Sequence, residues 1–173
     1  MVCFDLLDFN VVYRVFIVYR PPSVNSFTCC DTKGDIMQQL VNCLEANINK
    51  HGPTIITGDF NCPDINWHIL SCSSDLCHKV FYDFVVGNGF SQCVTEPTRF
   101  CNILDLVLVN DPFIISKTDA NLPFSTSDHN TVSIDILYSK QTSRPTTVSA
   151  EPNIKFFYGN SVIVRTCVPI FTV

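Results

Sequence analysis

Apolar and aromatic residues fill almost every position of Val11 to Tyr19, with Arg14 the exception. A run that is apolar on both faces predicts an inner strand covered on two sides. Arg20-Pro21-Pro22-Ser23 ends it, because proline lacks the donor that a ladder needs. Residues 3–7 are expected to pair with this strand as an antiparallel hairpin through the polar turn Asp8-Phe9-Asn10. Over residues 35–50, Ile36, Met37, Leu40, Val41, Leu44 and Ile48 recur near the 3.6-residue period and predict an amphipathic helix, stopped at His51-Gly52-Pro53. A short strand at 54–57 then delivers Gly58-Asp59-Phe60-Asn61 to the end of a sheet. A second helix is predicted over 75–86, with Leu76, Val80, Phe81, Phe84 and Val85 on one face and Gly87-Asn88-Gly89 as its stop. Residues 103–109 and 132–138 read as strands, the latter showing Val132, Ile134, Ile136 and Tyr138 to one side. The domain is expected to span 1–138, followed by a polar linker over 139–152 and a tail over 153–173 to which the pattern assigns no fold.

Composition narrows the class. With 173 residues, 46% hydrophobic and only 16% charged, the chain can bury one sizeable core and is not disordered over most of its length. No apolar run approaches the ~18 residues that a membrane span needs. Eleven Lys+Arg against sixteen Asp+Glu give a net charge of −5, the wrong sign for holding polyphosphate by bulk charge. The cations are also scattered, so any basic groove has to be local. Ten cysteines without a C-x-x-C pair speak against a zinc knuckle. The start of the sequence lacks a signal-peptide pattern, so the cysteines read as reduced, mostly buried thiols of an intracellular protein.

Three short acidic motifs fall at predicted strand ends: Gly58-Asp59-Phe60-Asn61, Asn102-Ile103-Leu104-Asp105 and Ser127-Asp128-His129-Asn130. Carboxylates, a carboxamide and an imidazole gathered there suit a hard divalent cation and a water held beside a phosphate. Taken singly, each motif is equally served by Asx turns that cap strand ends. Tyr19 is either a strand-end core aromatic or a polar contact at the mouth of its strand. Trp67 reads as packing, His51, His68 and His78 as helix-stop and surface residues, and Arg99 as a salt-bridge or phosphate partner.

In their order, Tyr19-Arg20-Pro21-Pro22, Ile56-Thr57-Gly58-Asp59-Phe60-Asn61-Cys62-Pro63-Asp64-Ile65-Asn66-Trp67, Pro97-Thr98-Arg99, Asn102-Ile103-Leu104-Asp105-Leu106-Val107 and Ser127-Asp128-His129-Asn130 resemble the endonuclease/exonuclease/phosphatase superfamily. More narrowly, they resemble the apurinic-endonuclease-like domain of non-LTR (LINE-type, jockey-like) retrotransposons, over residues 12–137. The resemblance implies an α/β fold, the C-terminal part of a four-layer αββα sandwich with mixed, mainly antiparallel sheets. It implies that Asp59 orients or deprotonates the attacking water and that Asn61 and Tyr19 contact the phosphate. The resemblance likewise implies that Asp105 partners His129 to stabilise the charged phosphorus centre and that Asp128 stands near the metal, Mg2+ or Mn2+.

Members of that superfamily carry an asparagine and a metal-binding glutamate in a half that precedes the Y-R-P-P strand, whereas about ten residues precede it here. The chain therefore reads as a fragment with its N-terminal half missing, weakly active or inactive, with loosely held metal. DNA is the expected partner and the nucleus the expected location of a functional copy, with no membrane association. A small-phosphoester phosphatase and a non-catalytic remnant are the alternatives. Without a covering half, the inner faces of the strands at 11–19 and 132–138 are expected to be exposed and to promote self-association.

Overall fold

The computed structural model describes residues 1–8, 11–22, 33–49, 52–137 and 162–167. At its centre lies β3 (Thr54–Asp59), all six residues of which are buried. β3 pairs in parallel with β2 (Val11–Tyr19) on one side and antiparallel with β7 (Asp105–Val109) on the other. β1 (Val2–Asp8) pairs antiparallel with β2, as the hairpin pattern predicts, and the short β6 (Ser91–Gln92) closes the far edge of this mixed five-stranded sheet. Two short strands, β4 (Ile65–Asn66) and β5 (Ser71–Cys72), form a small ribbon of their own.

The connection from β2 to β3 contains α1 (Lys33–Asn47), and that from β5 to β6 contains α2 (Leu76–Gly87). The period-2 alternation of β2 sorts its residues into two cores. Phe16 and Val18 join Ile56, Leu106 and Leu108 against the helical residues Met37, Val41, Leu44, Phe81, Phe84 and Val85. Tyr13 and Val15 join Ile55, Val107 and Val109 against Val132, Ile134 and Ile136 of β9 (Thr131–Leu137). β9 is the middle strand of a second sheet. It pairs antiparallel with β8 (Ile115–Asn121), which follows a 3-10 turn at Pro112–Ile114, and in parallel with β10 (Val162–Cys167). The described residues thus stack as helices, mixed sheet and small sheet. No helix among them is long and apolar enough to cross a membrane.

Several sequence expectations are corrected here. The strands at 11–19 and 132–138 do not lie bare, because they belong to facing sheets and cover one another: Val15 is 1% and Val132 0% exposed. Ile36 and Leu76 point to solvent, and on α2 the place expected for Leu76 is taken by Cys77. The helix at 75–86 begins one residue later, because Asp75 caps it by accepting from the Cys77 and His78 amides. Part of the tail forms β10, and β8 carries no apolar run that could announce it. Cys3, Cys43, Cys62, Cys72, Cys77, Cys93 and Cys101 are outside any disulfide, but of these only Cys62 and Cys77 are buried. His51, Tyr138, the turn residues Phe9 and Asn10 and the linker at 139–152 lie outside the described residues.

Gly58 fixes how close β2 and β3 come at the end that carries Asp59. Its φ is +139°, and a Cβ there would stand 1.8 Å from the Val18 carbonyl oxygen. Both the conformation and the space demand glycine. Gly58→Ala is therefore expected to destabilise the fold by more than about 3 kcal/mol, within the range of severe core lesions. Chemical denaturation followed by circular dichroism measures it, and a loss below about 1 kcal/mol would contradict this packing.

Candidate active site

Asp59 ends β3 and Asp105 begins β7, and the antiparallel register sets these two residues directly opposite each other. His129 arrives from the loop before β9, so the second sheet contributes the third member. One ligand atom from each of Asp59, Asp105 and His129 lies within 4.8 Å of the other two. All three residues are buried, at 5%, 2% and 5% exposure. His129 Nδ1 is 2.7 Å from Asp105 Oδ2, which fixes the ring orientation and directs its other nitrogen away from that carboxylate. Burial, and next the charge of Asp105, push the Asp59 carboxyl up to about 6, against opposing pulls from His129 and from hydrogen bonds with Asn61.

Two buried side chains that sequence reasoning left without a role hold this arrangement. Arg20, 8% exposed, directs Nη1 to the carbonyl oxygens of Phe60 and Asn61, both at 3.0 Å, and Nη2 to Cys77 Sγ at 3.0 Å. Asn61 answers by donating its Nδ2 to the Arg20 carbonyl at 2.7 Å. The loop after Asp59 is thereby locked to the end of β2 and the start of α2. Thr98, fully buried, accepts at Oγ1 from the amides of Leu104 and Asp105, both at 3.0 Å, while its carbonyl accepts from the Asn130 amide at 2.7 Å. One threonine therefore ties the Asp105 loop to the His129 loop. Ser127 Oγ adds a turn by accepting from the His129 amide at 3.0 Å.

The remaining candidates divide. Asn61 sits beside Asp59 with φ +49°, a conformation that asparagine tolerates, and its amide donates to Asp59 Oδ1 at 3.1 Å. Tyr19 pairs with Asp59 in the β2–β3 ladder and is 60% exposed, so it borders the site rather than filling the core. Asp128 faces away from the buried trio: its carboxylate is held by Arg99 at 2.6 Å, and this pair keeps it ionised well below the usual carboxylate range. Arg99 also lies over the Phe100 ring, 5.6 Å from its centroid. Trp67 packs edge-on to Phe81. His68 is exposed, and His78 pairs with Asp64.

A buried Asp with a raised carboxyl contributes most to stability in acid. Asp59 has a folded value near 6 and a reference value of 3.8, so folding binds a proton between these values, and the contribution of Asp59 to stability falls as pH rises from about 4 through 6. Asp59→Asn removes the penalty of a buried charge. In metal-free buffer it is expected to stabilise the protein at pH 8 by on the order of 2 kcal/mol and to gain nothing at pH 4. Paired denaturation curves at the two pH values check this, and equal stability of variant and wild type at pH 8 would contradict the assigned environment.

No curated protein matches the chain. Residues 13–133 match the family described as endonuclease-reverse transcriptase, and this stretch contains Asp59, Asn61, Asp105, Asp128 and His129 together with the Arg20 and Thr98 supports. The chain thus belongs to the endonuclease-reverse transcriptase family, with a domain of the endonuclease/exonuclease/phosphatase type.

Proposed function

We propose that this domain is a magnesium-dependent phosphodiesterase of the DNA-nicking kind that serves non-LTR retrotransposition. The observation that carries the reading is the convergence of two buried carboxylates and a carboxylate-bound histidine at one sheet end. Asp59 and Asp105 offer hard oxygen donors, and the burial and Asp105 charge that raise the Asp59 carboxyl would be offset by a cation, so the donor set fits Mg2+ or Mn2+. The bound ion supplies Lewis-acid polarisation of a phosphoryl oxygen. With two carboxylates in the set, binding is expected to be weak and half-saturation to need millimolar magnesium.

In this reading Asp59 accepts the proton of the attacking water, and Asn61 steadies the loop that aims it. Asp105 holds the His129 ring in one orientation through Nδ1. When it carries a proton, the free ring nitrogen donates to the phosphoryl oxygens as negative charge builds there. Asp128, through Arg99, orients the loop carrying His129. A further helical layer outside β8, β9 and β10 would complete the four-layer sandwich of the superfamily. The net charge of −5 limits counter-ion release, so DNA affinity is expected to be modest and only weakly salt-dependent.

The test is nicking of supercoiled plasmid by excess protein. Slow, metal-dependent conversion to relaxed circles is expected, abolished by chelator and by Asp59→Ala. Cleavage that survives Asp59→Ala, or none in either metal, would refute the reading. His129→Ala should lower the rate by about two to three orders of magnitude while changing DNA binding little, because its hydrogen bond acts on the transition state. The rate should rise with pH to a plateau whose inflection lies no higher than about 6, because a bound cation can only lower the Asp59 value. An inflection above 7 would remove Asp59 as the base.

A further inference from the structure

A cavity of about 530 Å3 opens between the start of α2 and the loop at 99–102, with Asn61 and Leu104 in its walls. Leu104 immediately precedes Asp105 and Asn61 closely follows Asp59, so the cavity abuts the segments that carry both carboxylates. Phe100 stands in the same walls and is 82% exposed. Single exposed aromatics are ordinary on a protein surface. What sets this one apart is how it is held.

Arg99 and Asn102 form an antiparallel bridge, the Arg99 amide donating to the Asn102 carbonyl at 3.1 Å and the Asn102 amide to the Arg99 carbonyl at 2.9 Å. Phe100 and Cys101 are therefore the two residues of a tight hairpin turn. Phe100 takes φ +52° there, a left-handed conformation that such turns give to Gly, Asn or Asp and that costs a bulky side chain free energy. The stem is anchored: Arg99 grips Asp128 at 2.6 Å, and Thr98 binds the amides of Leu104, Asp105 and Asn130. The turn is thus fixed to the loops that carry Asp105 and His129, while its aromatic tip is left in water. The Arg99 guanidinium backs one face of the ring, 5.6 Å from its centroid, and the other face is open to solvent. Leu70 shares the conformation and the exposure, yet takes no part in the walls of this cavity.

We propose that Phe100 stacks on one unpaired base of the DNA strand that carries the scissile phosphate, and that this contact makes the protein prefer single-stranded or locally opened DNA. The inference rests on the phosphodiesterase reading above. Phe100 lies five positions before Asp105, so their Cα atoms are at most about 18 Å apart, a span of about five nucleotides at 3.4 Å each. Stacking supplies what charge does not, since the chain carries a net −5 and the Arg99 guanidinium is engaged by Asp128. Every base offers a π-face to an aromatic ring, whatever its sequence. Inside a duplex both faces are covered by neighbouring bases, so the ring reaches only a base that is already unstacked or is cheaply unstacked.

The test titrates the whole chain, in magnesium, with oligothymidylate and separately with the same strand paired to oligoadenylate. Phe100→Trp keeps an aromatic ring and serves as a reporter, because Trp67, the single tryptophan of the chain, is buried. The single strand is expected to quench the reporter emission and to bind more tightly than the duplex. Phe100→Ala should weaken single-strand binding at least about fivefold and leave duplex binding nearly unchanged. Phe113→Ala removes an equally exposed ring near the far end of β7 and should change neither. Both side chains are exposed, so the variants are expected to keep the wild-type melting temperature. Absence of DNA binding, an unquenched reporter, unchanged single-strand affinity in Phe100→Ala, or an equal loss in Phe113→Ala would each overturn the proposal. Plasmid nicking that still depends on Asp59 alongside any of these would remove the stacking alone, whereas quenching and Phe100-dependent binding by a protein that nicks nothing would remove only the reaction.

Discussion

The buried guanidinium of Arg20 is the contact on which the geometry of the site depends. A cation taken out of water costs several kcal/mol unless its donors are satisfied. Arg20 meets that demand with the carbonyls of Phe60 and Asn61 and the sulfur of Cys77. These groups lie on the two segments that must stay fixed for Asp59 to point inward. A planar fork with several donors can bridge such partners at once, which the single ammonium of lysine cannot do. The Asn61 side chain closes the ring by donating to the Arg20 carbonyl, so a left-handed residue beside Asp59 is held by two hydrogen bonds in opposite directions. The same guanidinium borders the cavity at the start of α2.

Thr98 does on the other side what Arg20 does on this one. Its hydroxyl and carbonyl reach three amides in two loops, and the result is a 2.7 Å contact between His129 and Asp105 that spans two sheets. Burial then sets the electrostatics. Two carboxylates face each other across the β3–β7 ladder with little water, so one of them is driven toward protonation. The histidine offsets only part of this. The strain is concentrated where charge would be used, and the sheet core beneath it, from Ile55 to Val109, is apolar and closed.

Much of this architecture was readable in advance because period decides it. The two-faced run of β2, the 3.6-residue rows of α1 and α2 and the alternation of β9 each predicted their element and most of its buried face. Asp59 and Asp105 were readable as a pair because their motifs end strands, and strand ends converge. Other features follow from tertiary context that no local pattern carries. β8 reads Ile-Ser-Lys-Thr-Asp-Ala-Asn, half exposed and bulged between Ile115 and Lys117, and becomes a strand only because β9 offers an edge. Asp128 and His129 are neighbours in sequence yet turn opposite ways, one to Arg99 at the surface and one into the core. Arg20 follows a strand and precedes two prolines, a context that suggests solvent, and only the packing of α2 against the loop after Asp59 turns it inward.

The charge balance of the whole molecule bears on what such a site can do. Arg20 and Arg99 are the cations that border the cavity, and both are already committed, one to carbonyls and sulfur and the other to Asp128. A polyanion approaching this face therefore meets few free positive charges, while the trio itself presents two carboxylates. On the proposed function, a phosphodiester would be repelled from Asp59 and Asp105 if no cation sat there. A divalent ion would cancel the two carboxylate charges over the few ångströms that matter, since within the Debye length of about 8 Å at physiological salt the nearest charges dominate. On the same reading, metal and substrate binding would be coupled: an ion held by two carboxylates would have room for oxygen ligands from a phosphate. Affinity for each would then rise with the other, as linkage requires.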